Sequence, residues 1–480
     1  MLAPLLWLLW LTLLPAQDPA PLPARETALH TAATQSLLSF ARAAEGNKMF
    51  ARAKTAYQMV VDHYDPENKA ARTALALKGR QWTDQGALAQ VRSTEQAWTV
   101  VCKKLAPQHR DLGLAFVAAD ELARGPHHLQ RCLDFDPKDV AAHEALGHES
   151  FRGFYGTPEQ VAFCRRLEVI EQKAKELATT AFACTPLAAD EVPLEFRNAQ
   201  LAVVGAKARQ WKVWTTSPNT EAASDAAQWA ERGCDLLEFL LPSGPARRVA
   251  RIDGRPVSWI GLLRNDAEWM AFFNANPQLL NAAKLTAAPD GSTFRFQSTT
   301  GLAEVFRHPV ELDADELIAH VTMWGFATQH NEGLGQGLVH AMTSLLVGTM
   351  HTWFGAEPPT RAAREVPLPR DPKAWAQRIA EEIRANQDWP LAQVPREKLT
   401  NFREQVRVKS WSFVLWMLAR YPSNWSQVLQ AIDSDQNLMP EQIEQIYVRE
   451  FGVSLQQLDA EWREWARGDS PIAKATRSRG

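Results

Sequence analysis

Residues 313–336 contain the side chains whose types and spacing come nearest to those of a metal site. On a helix, the motif His-Glu-x-x-His places two imidazoles one turn apart on one face, where they bind zinc, and its glutamate polarises the zinc-bound water. Here His320 occupies the first position, Val321 stands in place of the glutamate and Trp324 in place of the second histidine. A valine cannot accept a proton and an indole cannot ligate a metal. The segment therefore keeps the layout of such a site without its chemistry.

Other donors nearby suggest a substitute site. Glu332 lies eight residues after Trp324. The sequence that follows predicts a second helix, from about residue 336 to 348, and the helical spacing places Glu332 and His340 on the same side. Zinc needs three nitrogen or oxygen donors plus water, so His320, Glu332 and His340 form an alternative zinc site. Because no residue is placed as a general base, the favoured expectation is no metal cofactor and no catalytic residue.

The helix that carries His320 has a clear start signal. Asp313 and Glu316 have the spacing of a capping box, and apolar residues follow at helical intervals. Glu316 and His320 share a face four residues apart, which predicts a carboxylate–imidazole pair around a partly buried histidine, with metal binding as the alternative. The glycines of residues 333–337 lack the Lys-Ser/Thr ending of a phosphate loop and predict close backbone packing instead.

Length, charge and the first residues bound the class of protein. A chain of 480 residues is too long to fold around a single hydrophobic core, so we expect several domains. Its formal net charge of -3 gives no excess of positive charge to attract nucleic acid, so we expect no nucleic-acid partner. Residues 1–16 form an apolar run that ends at Pro15-Ala16 and predict a cleaved secretory signal peptide. We therefore expect an exported protein, periplasmic or extracellular, with no membrane span after cleavage. An N-terminal membrane anchor is the alternative if the signal stays uncleaved.

The five cysteines are at least twenty residues apart and form no CxxC pair, so the sequence offers neither a zinc knuckle nor a thioredoxin motif. Two disulfides with one remaining thiol are possible in an oxidising compartment. The favoured interpretation is that the cysteines are small buried apolar residues. They are Cys102, Cys132, Cys164, Cys184 and Cys234.

Residues 25–190 are alanine-rich, have helical periodicity and contain an internal sequence repeat, which we call the echo. The segment 65–75 returns as 136–146, 71 residues later, and each copy begins with Asp-Pro after an amphipathic stretch. This pattern resembles tetratricopeptide-type helix pairs. The resemblance implies stacked helices with a concave surface, and hence a protein or peptide partner for this region.

A second histidine pair lies inside the echo. His143 and His148 are five residues apart, so on a continuous helix they point roughly 140° apart and cannot share an ion. Because the segment also aligns with the earlier copy of the repeat, the pair is interpreted as structural.

From about residue 195 the pattern changes. Short β-prone runs at 211–216 and 256–263, each followed by a helical segment, precede two hairpin strands at 293–297 and 303–306 and then the helix of His320. The last third is a series of amphipathic helices that ends in FGVSLQQLDAEWREW (451–465), with a turn at Gly452 and a cap at Ser454. The tryptophans fall mostly at helical core spacing.

The altered histidine motif, this order of elements and the closing helix resemble thermolysin-like and aminopeptidase-like zinc metallopeptidases (gluzincins), as in secreted bacterial peptidase-like proteins. The resemblance covers roughly residues 200–467. It implies that the segment at Glu332 corresponds to the one that supplies the third zinc ligand, although here it arrives earlier than in that family.

These observations together predict an α+β, predominantly α-helical protein in which a helical repeat region precedes a gluzincin-like domain. The expected divisions are 1–16 signal peptide, 25–190 helical repeats, 195–310 α/β part with a small mixed sheet, 311–467 helical lobe with the degenerate active-site helix, and 468–480 disordered tail. The function expected from the resemblance is that of an exported pseudopeptidase, a protein- or peptide-binding scaffold without hydrolytic activity. The alternative is a zinc-dependent peptidase that uses His320, Glu332 and His340.

Overall fold

A computed structural model describes most of the chain after residue 19. Its fold is α+β and predominantly α-helical, as the sequence predicts. The chain divides into two compact units, Met1–Val161 and Ala162–Gly480, so the division lies earlier than the boundary near residue 190 expected from the sequence. The described residues are 20–77, 81–209, 211–242, 251–252, 255–283, 285, 287, 293–307, 314–325, 332–350, 368–397, 404–433 and 438–477.

The first unit consists of helices and one short hairpin. Its elements are α1 (Leu22–Gly46), α2 (Phe50–Met59), a π turn (Val60–Tyr64), α3 (Lys69–Leu75), α4 (Leu88–Ala118), α5 (Arg124–Phe135), α6 (Val140–Ala145), β1 (Glu149–Phe151) and β2 (Phe154–Gly156). Helix α7 (Pro158–Thr179) follows, and the division between the units falls within it.

The echo seen in the sequence extends over two sets of three helices, α1-α2-α3 and α4-α5-α6. Adding 72 to the number of every buried residue of α1 gives a buried residue of α4, and the same shift maps the buried residues of α2 onto α5. The matched pairs are Leu29 and Val101, Ala33 and Leu105, Leu37 and His109, Phe40 and Leu112, Ala41 and Gly113, Ala44 and Phe116, Ala53 and Gly125, Ala56 and His128, and Tyr57 and Leu129. The two copies therefore bury the same faces.

The shift changes from 72 to 71 at the π turn. After it, Tyr64 matches Phe135, and the N-caps Asn68 and Asp139 match each other. Both caps accept a hydrogen bond from the backbone N–H three residues later and thereby satisfy a donor of the helix end. A π turn accommodates one extra residue inside an α-helix, so it absorbs a one-residue difference between the copies and keeps both faces buried.

The segment between the two echoed sequences is the 31-residue helix α4 followed by α5. The echo is therefore confirmed as a repeated local structure with a period of about 72 residues. Its assignment to tetratricopeptide-type repeats stays a prediction.

The second unit contains a mixed sheet. Its strands are β3 (Thr185–Pro186), β4 (Val204–Lys207), β5 (Lys212–Thr215), β6 (Arg251–Ile252), β7 (Arg255–Leu263), β8 (Thr293–Ser298) and β9 (Gly301–Arg307). The order is β3-β4-β5-β7-β9-β8, with β6 paired to β7; the β5–β7 and β7–β9 pairs are parallel and the others antiparallel. The strands predicted at 211–216 and 256–263 and the hairpin at 293–306 are thereby confirmed.

The other elements described in this unit are helices. They are α8 (Leu194–Asn198), α9 (Thr220–Leu240), α10 (Asp266–Ala275), α11 (Pro277–Ala282), α12 (Ala314–Gly325), α13 (Glu332–Leu346), α14 (Pro372–Arg384), α15 (Glu404–Arg420), α16 (Trp425–Asp433), α17 (Pro440–Phe451), α18 (Leu455–Ala466) and α19 (Pro471–Arg477), with short 3-10 turns at Ala189–Glu191 and Leu391–Arg396. Helix α13 begins at Glu332, earlier than the start near residue 336 that the sequence suggested.

Two sequence interpretations of this unit are confirmed by its packing. A Cβ placed on Gly337 of α13 would lie 2.6 Å from the carbonyl oxygen of Ser410 on α15, so this glycine permits the close helix contact expected of it. Within the described ranges ten tryptophans are buried, among them Trp375, Trp425 and Trp462.

The closing helices agree with the sequence up to residue 467 and differ after it. Gly452 adopts a left-handed conformation at the end of α17 (φ 74°), and Ser454 caps α18. The tail predicted to be disordered instead forms α19, whose Thr476 accepts a hydrogen bond from the indole of Trp465. Packing against a neighbouring helix orders this polar segment.

No helix in the described ranges is both long and apolar enough to cross a membrane. The predicted signal peptide, residues 1–16, lies outside the described residues.

Candidate functional site

The first unit encloses a cluster of polar rings between α1, the π turn, α4 and α5. Four side chains form a continuous hydrogen-bonded chain, with Tyr64 Oη 2.9 Å from His109 Nε2, His109 Nδ1 3.1 Å from His128 Nδ1, and His128 Nε2 3.2 Å from Glu26 Oε1. Both histidines are fully buried, and Tyr64 is 8% exposed. We call these four residues the relay.

The relay has one consistent direction when its carboxylate is ionised. Glu26 can then only accept, so His128 carries its proton on Nε2 and, when neutral, leaves Nδ1 as an acceptor. His109 must in turn carry its proton on Nδ1, which leaves Nε2 to accept from the hydroxyl of Tyr64. Every polar atom in the chain is satisfied in this arrangement, as buried polar groups require.

Burial favours the neutral forms of His109, His128 and Tyr64. It lowers the pKa of His109 to about 3, with neighbouring histidines and Arg131 acting in the same direction. Burial also lowers the pKa of His128, although the hydrogen bond that His128 donates to Glu26 acts in the opposite direction, and it raises the pKa of Tyr64 above its usual range. Neutral imidazole is the form that binds metals.

Aromatic stacking fixes the two histidine rings. The His109 ring stacks on Phe135, with centroids 5.8 Å apart and an angle of 19° between planes. The His128 ring stacks on Phe116 at 5.6 Å and 5°. Each ring is thus held in one plane, and its hydrogen bonds on both sides place its nitrogens.

A possible metal site lies at the Glu26 end of the relay. One donor atom from each of Glu26, His30 and His128 lies within 4.8 Å of the other two. Glu26 and His30 are four residues apart on α1 and share a face, and His128 reaches them from α5. Among the described residues, this is the one group of three histidine, cysteine or acidic side chains so placed.

The residues present fit a metal ion in two respects. The buried Nε2 of His30 has no hydrogen-bond partner among the described residues, which is unusual for a buried nitrogen and points to a missing ligand. The 3.2 Å between His128 Nε2 and Glu26 Oε1 is close to the roughly 3.4 Å edge of a tetrahedron with metal–ligand distances of about 2.0–2.1 Å. All three donor atoms lie within 4.8 Å of one another, so small side-chain shifts would bring them to this tetrahedral spacing.

The positive charge of Arg124 acts partly against a metal ion at Glu26. Its guanidinium lies 3.8 Å from Glu26 Oε2 and is about half exposed. The pair leaves Oε1 available to a metal, and an exposed arginine can move away from an incoming cation at little cost.

The relay residues stand where the other copy of the repeat has apolar ones. The counterparts of His109, His128 and Tyr64 are Leu37, Ala56 and Phe135. Since the fold accommodates apolar side chains at all three positions, packing alone does not require the polar rings.

The site expected from the sequence lies in the second unit. The side chain of His320 on α12 lies with Nδ1 3.3 Å from Glu304 of β9 and packs edge-on against Phe306. Val321 is fully buried, with its Cγ1 3.2 Å from where a Cβ on Gly233 of α9 would be. His320 thus has a carboxylate neighbour on the strand, Glu304, and its predicted pairing with Glu316 stays a prediction.

The donors of the alternative zinc site are described in part. His340 is 1% exposed, and its ring packs against Trp375 of α14 at 4.9 Å, a different neighbour from those of His320. Trp324 and Glu332 lie near the end of α12 and at the start of α13, and their side chains lie outside the described residues.

The structural interpretation of His143 and His148 rested partly on a continuous helix, and that premise is wrong. Helix α6 ends at Ala145, and Gly147 adopts a left-handed conformation (φ 70°). This turn brings the two Nδ1 atoms to 2.8 Å. His143 Nε2 is already hydrogen-bonded to the carbonyl of Pro137, so the pair forms a local hydrogen-bonded contact.

All five cysteines are free thiols, so the possible disulfides are not formed. Cys132, Cys164 and Cys234 are buried, in agreement with the interpretation as small apolar residues.

Sequence reasoning missed the relay and the Glu26 group. Its members are separated by up to 102 residues, and each alone looks like an ordinary helical residue. A signal was present in the echo itself, because histidines of one copy align with apolar residues of the other.

Comparison with known proteins yielded no relative. No family model, no curated protein and no solved structure matches the chain.

Proposed function

We propose that the first unit binds a divalent transition-metal ion, and that the ion is zinc, through Glu26, His30 and His128. The proposal rests on His30, whose buried Nε2 lacks a hydrogen-bond partner among the described residues and which has a ring nitrogen within 4.8 Å of donors on Glu26 and His128. Two imidazoles and a carboxylate suit zinc and leave a fourth position for water. Imidazole also suits copper and nickel, so affinity alone does not select the metal.

Titration of the metal-free, untagged full chain with zinc chloride tests the proposal by calorimetry. We expect one tight site per chain. His30→Ala should weaken it by about 100-fold, because two protein donors bind zinc far less well than three. The matched control His63→Ala removes a half-buried histidine of the same unit that is outside the donor group and should bind as the parent does. No tight site, or equal binding by the His30 variant, would overturn the proposal.

A second candidate function belongs to the second unit: a pseudopeptidase scaffold that binds protein or peptide without hydrolysis. The supporting observation is the burial of Val321, since the position that would need a general base holds an apolar side chain packed towards α9. Peptide hydrolysis should be absent with or without added zinc. Activity that disappears in His320→Ala would contradict this candidate and favour the zinc peptidase with His320, Glu332 and His340.

Export, and a protein or peptide partner for the helical region, stay predictions.

A further inference from the structure

We infer that His109 and Tyr64 are positioning residues of the proposed metal site, and that metal occupancy reverses the direction of the relay. The inference rests on the proposed function, because it concerns the same ligand, His128. Its basis is the unbroken series of three hydrogen bonds that joins Tyr64 to Glu26 through two buried rings.

The metal-free and metal-bound states require opposite arrangements of protons. Without metal, each hydrogen bond points from Tyr64 towards Glu26. A metal on His128 Nε2 takes the lone pair of that atom, so the nitrogen can no longer carry a proton. The single ring proton of His128 must then lie on Nδ1, where it donates to His109 Nδ1. A metal-bound histidine that donates its other N–H to a fixed acceptor is the arrangement that orients such ligands.

The proton movements balance and leave His109, His128 and Tyr64 uncharged. The proton on His128 Nε2 leaves to solvent as the metal–nitrogen bond forms. The proton on His109 Nδ1 moves to His128 Nδ1, the hydroxyl proton of Tyr64 moves to His109 Nε2, and Tyr64 takes one proton from water. One proton leaves and one enters, and nothing is oxidised or reduced. His109, His128 and Tyr64 are neutral before and after, as their burial favours.

Rotation of the histidine rings would reverse the hydrogen bonds less easily than proton shifts do. His109 and His128 are each stacked on a phenylalanine and fully buried, so turning either ring would break that packing. It would also move the ring nitrogens away from their present partners. Proton shifts along existing hydrogen bonds need no such movement.

The tautomers can be read directly by nitrogen-15 NMR of the histidine rings in the full chain. The sample is labelled on histidine, stripped of metal and then titrated with zinc chloride. We expect His109 to carry its proton on Nδ1 without metal and on Nε2 with zinc bound. The signals are assigned by their loss in His109→Leu, a substitution for which Leu37 shows the fold has room at the equivalent position.

The same variant provides a second measurement. His109→Leu should lower zinc affinity by about 10- to 100-fold while keeping one site per chain, as expected for a group that acts through a ligand.

The outcomes separate the two proposals. If zinc shifts the signals of His30 and His128 while the tautomer of His109 stays the same, the relay inference fails and the metal site stands. If His109 carries its proton on Nε2 before zinc is added, the inference also fails. If zinc shifts neither ligand, the proposed function fails and metal-linked reversal fails with it.

Discussion

Replacing His109 by leucine should destabilise the first unit, although Leu37 fits the same place in the other copy. The substitution removes two buried hydrogen bonds and leaves Tyr64 Oη and His128 Nδ1 without their partners. Each buried orphan costs about 1–3 kcal/mol, and the added apolar burial returns about 1–2 kcal/mol. We expect a net loss of about 2–4 kcal/mol in the free energy of unfolding.

The double variant Tyr64→Phe, His109→Leu decides whether the relay is the cause. Phenylalanine has no hydroxyl to leave unpaired, and Phe135 occupies the equivalent position, so the second change should restore about 1–2 kcal/mol. The double variant is therefore expected to be more stable than His109→Leu alone. As a control, Tyr155→Phe removes a hydroxyl outside the relay and should change stability by less than about 0.5 kcal/mol.

Hydrogen exchange read by mass spectrometry on peptides from α4 and α5 suits this measurement, because it reports opening of the first unit separately from the second. A chelator keeps metal from contributing. If the two substitutions destabilise additively, or if the double variant is the least stable, the hydrogen-bond chain is not what holds these rings and the reasoning is refuted.

Three further predictions concern both units. The pKa of His109 is lowered to about 3 while an unfolded histidine has one near 6.5, so the unfolded state alone gains the proton as pH falls. Acid should therefore destabilise the first unit through His109 by about 2 kcal/mol at pH 5, and chemical denaturation from pH 7 to 5 should show a loss smaller by about that amount in His109→Leu, where His128 and other histidines of lowered pKa still contribute. Gly337→Ala should cost about 1–3 kcal/mol because its Cβ would lie 2.6 Å from the carbonyl oxygen of Ser410, whereas Gly46→Ala, with nothing within 4 Å, should be neutral or stabilising by thermal unfolding. Lys409 is fully buried between two carboxylates, so Lys409→Met should lower the stability of the second unit by about 3–5 kcal/mol, and an unchanged thermal midpoint would contradict this.

Much of the second unit follows from local sequence. The β-prone run at 211–216 and the capped helix at Ser454 are set by neighbouring residues, and their bounds agree with the structure within a few positions. The structure of the tail after residue 467 could not be predicted from its local sequence. Helix α19 is only weakly apolar, and it is ordered by contact with Trp465.

The relay could not be located in the same way. His128 meets Glu26 across 102 residues, and spacing along the chain carries no information about such a contact. The contact between His143 and His148 was missed for the opposite reason: a helix was assumed through Gly147, where the chain turns with a left-handed backbone. In both cases the positions of the donors depended on backbone geometry that residue types alone do not specify.

The repeat within a single chain has a further consequence for the relay. Two identical subunits assembled in the same way would have to carry the same residue at both equivalent positions, so a histidine at 109 would bring a second histidine at the place of Leu37. Covalent linkage removes that restriction, and each half is free to differ where they face each other. One copy then carries apolar side chains and the other carries polar rings at equivalent positions. A symmetric homodimer of this fold could not have this difference between its halves.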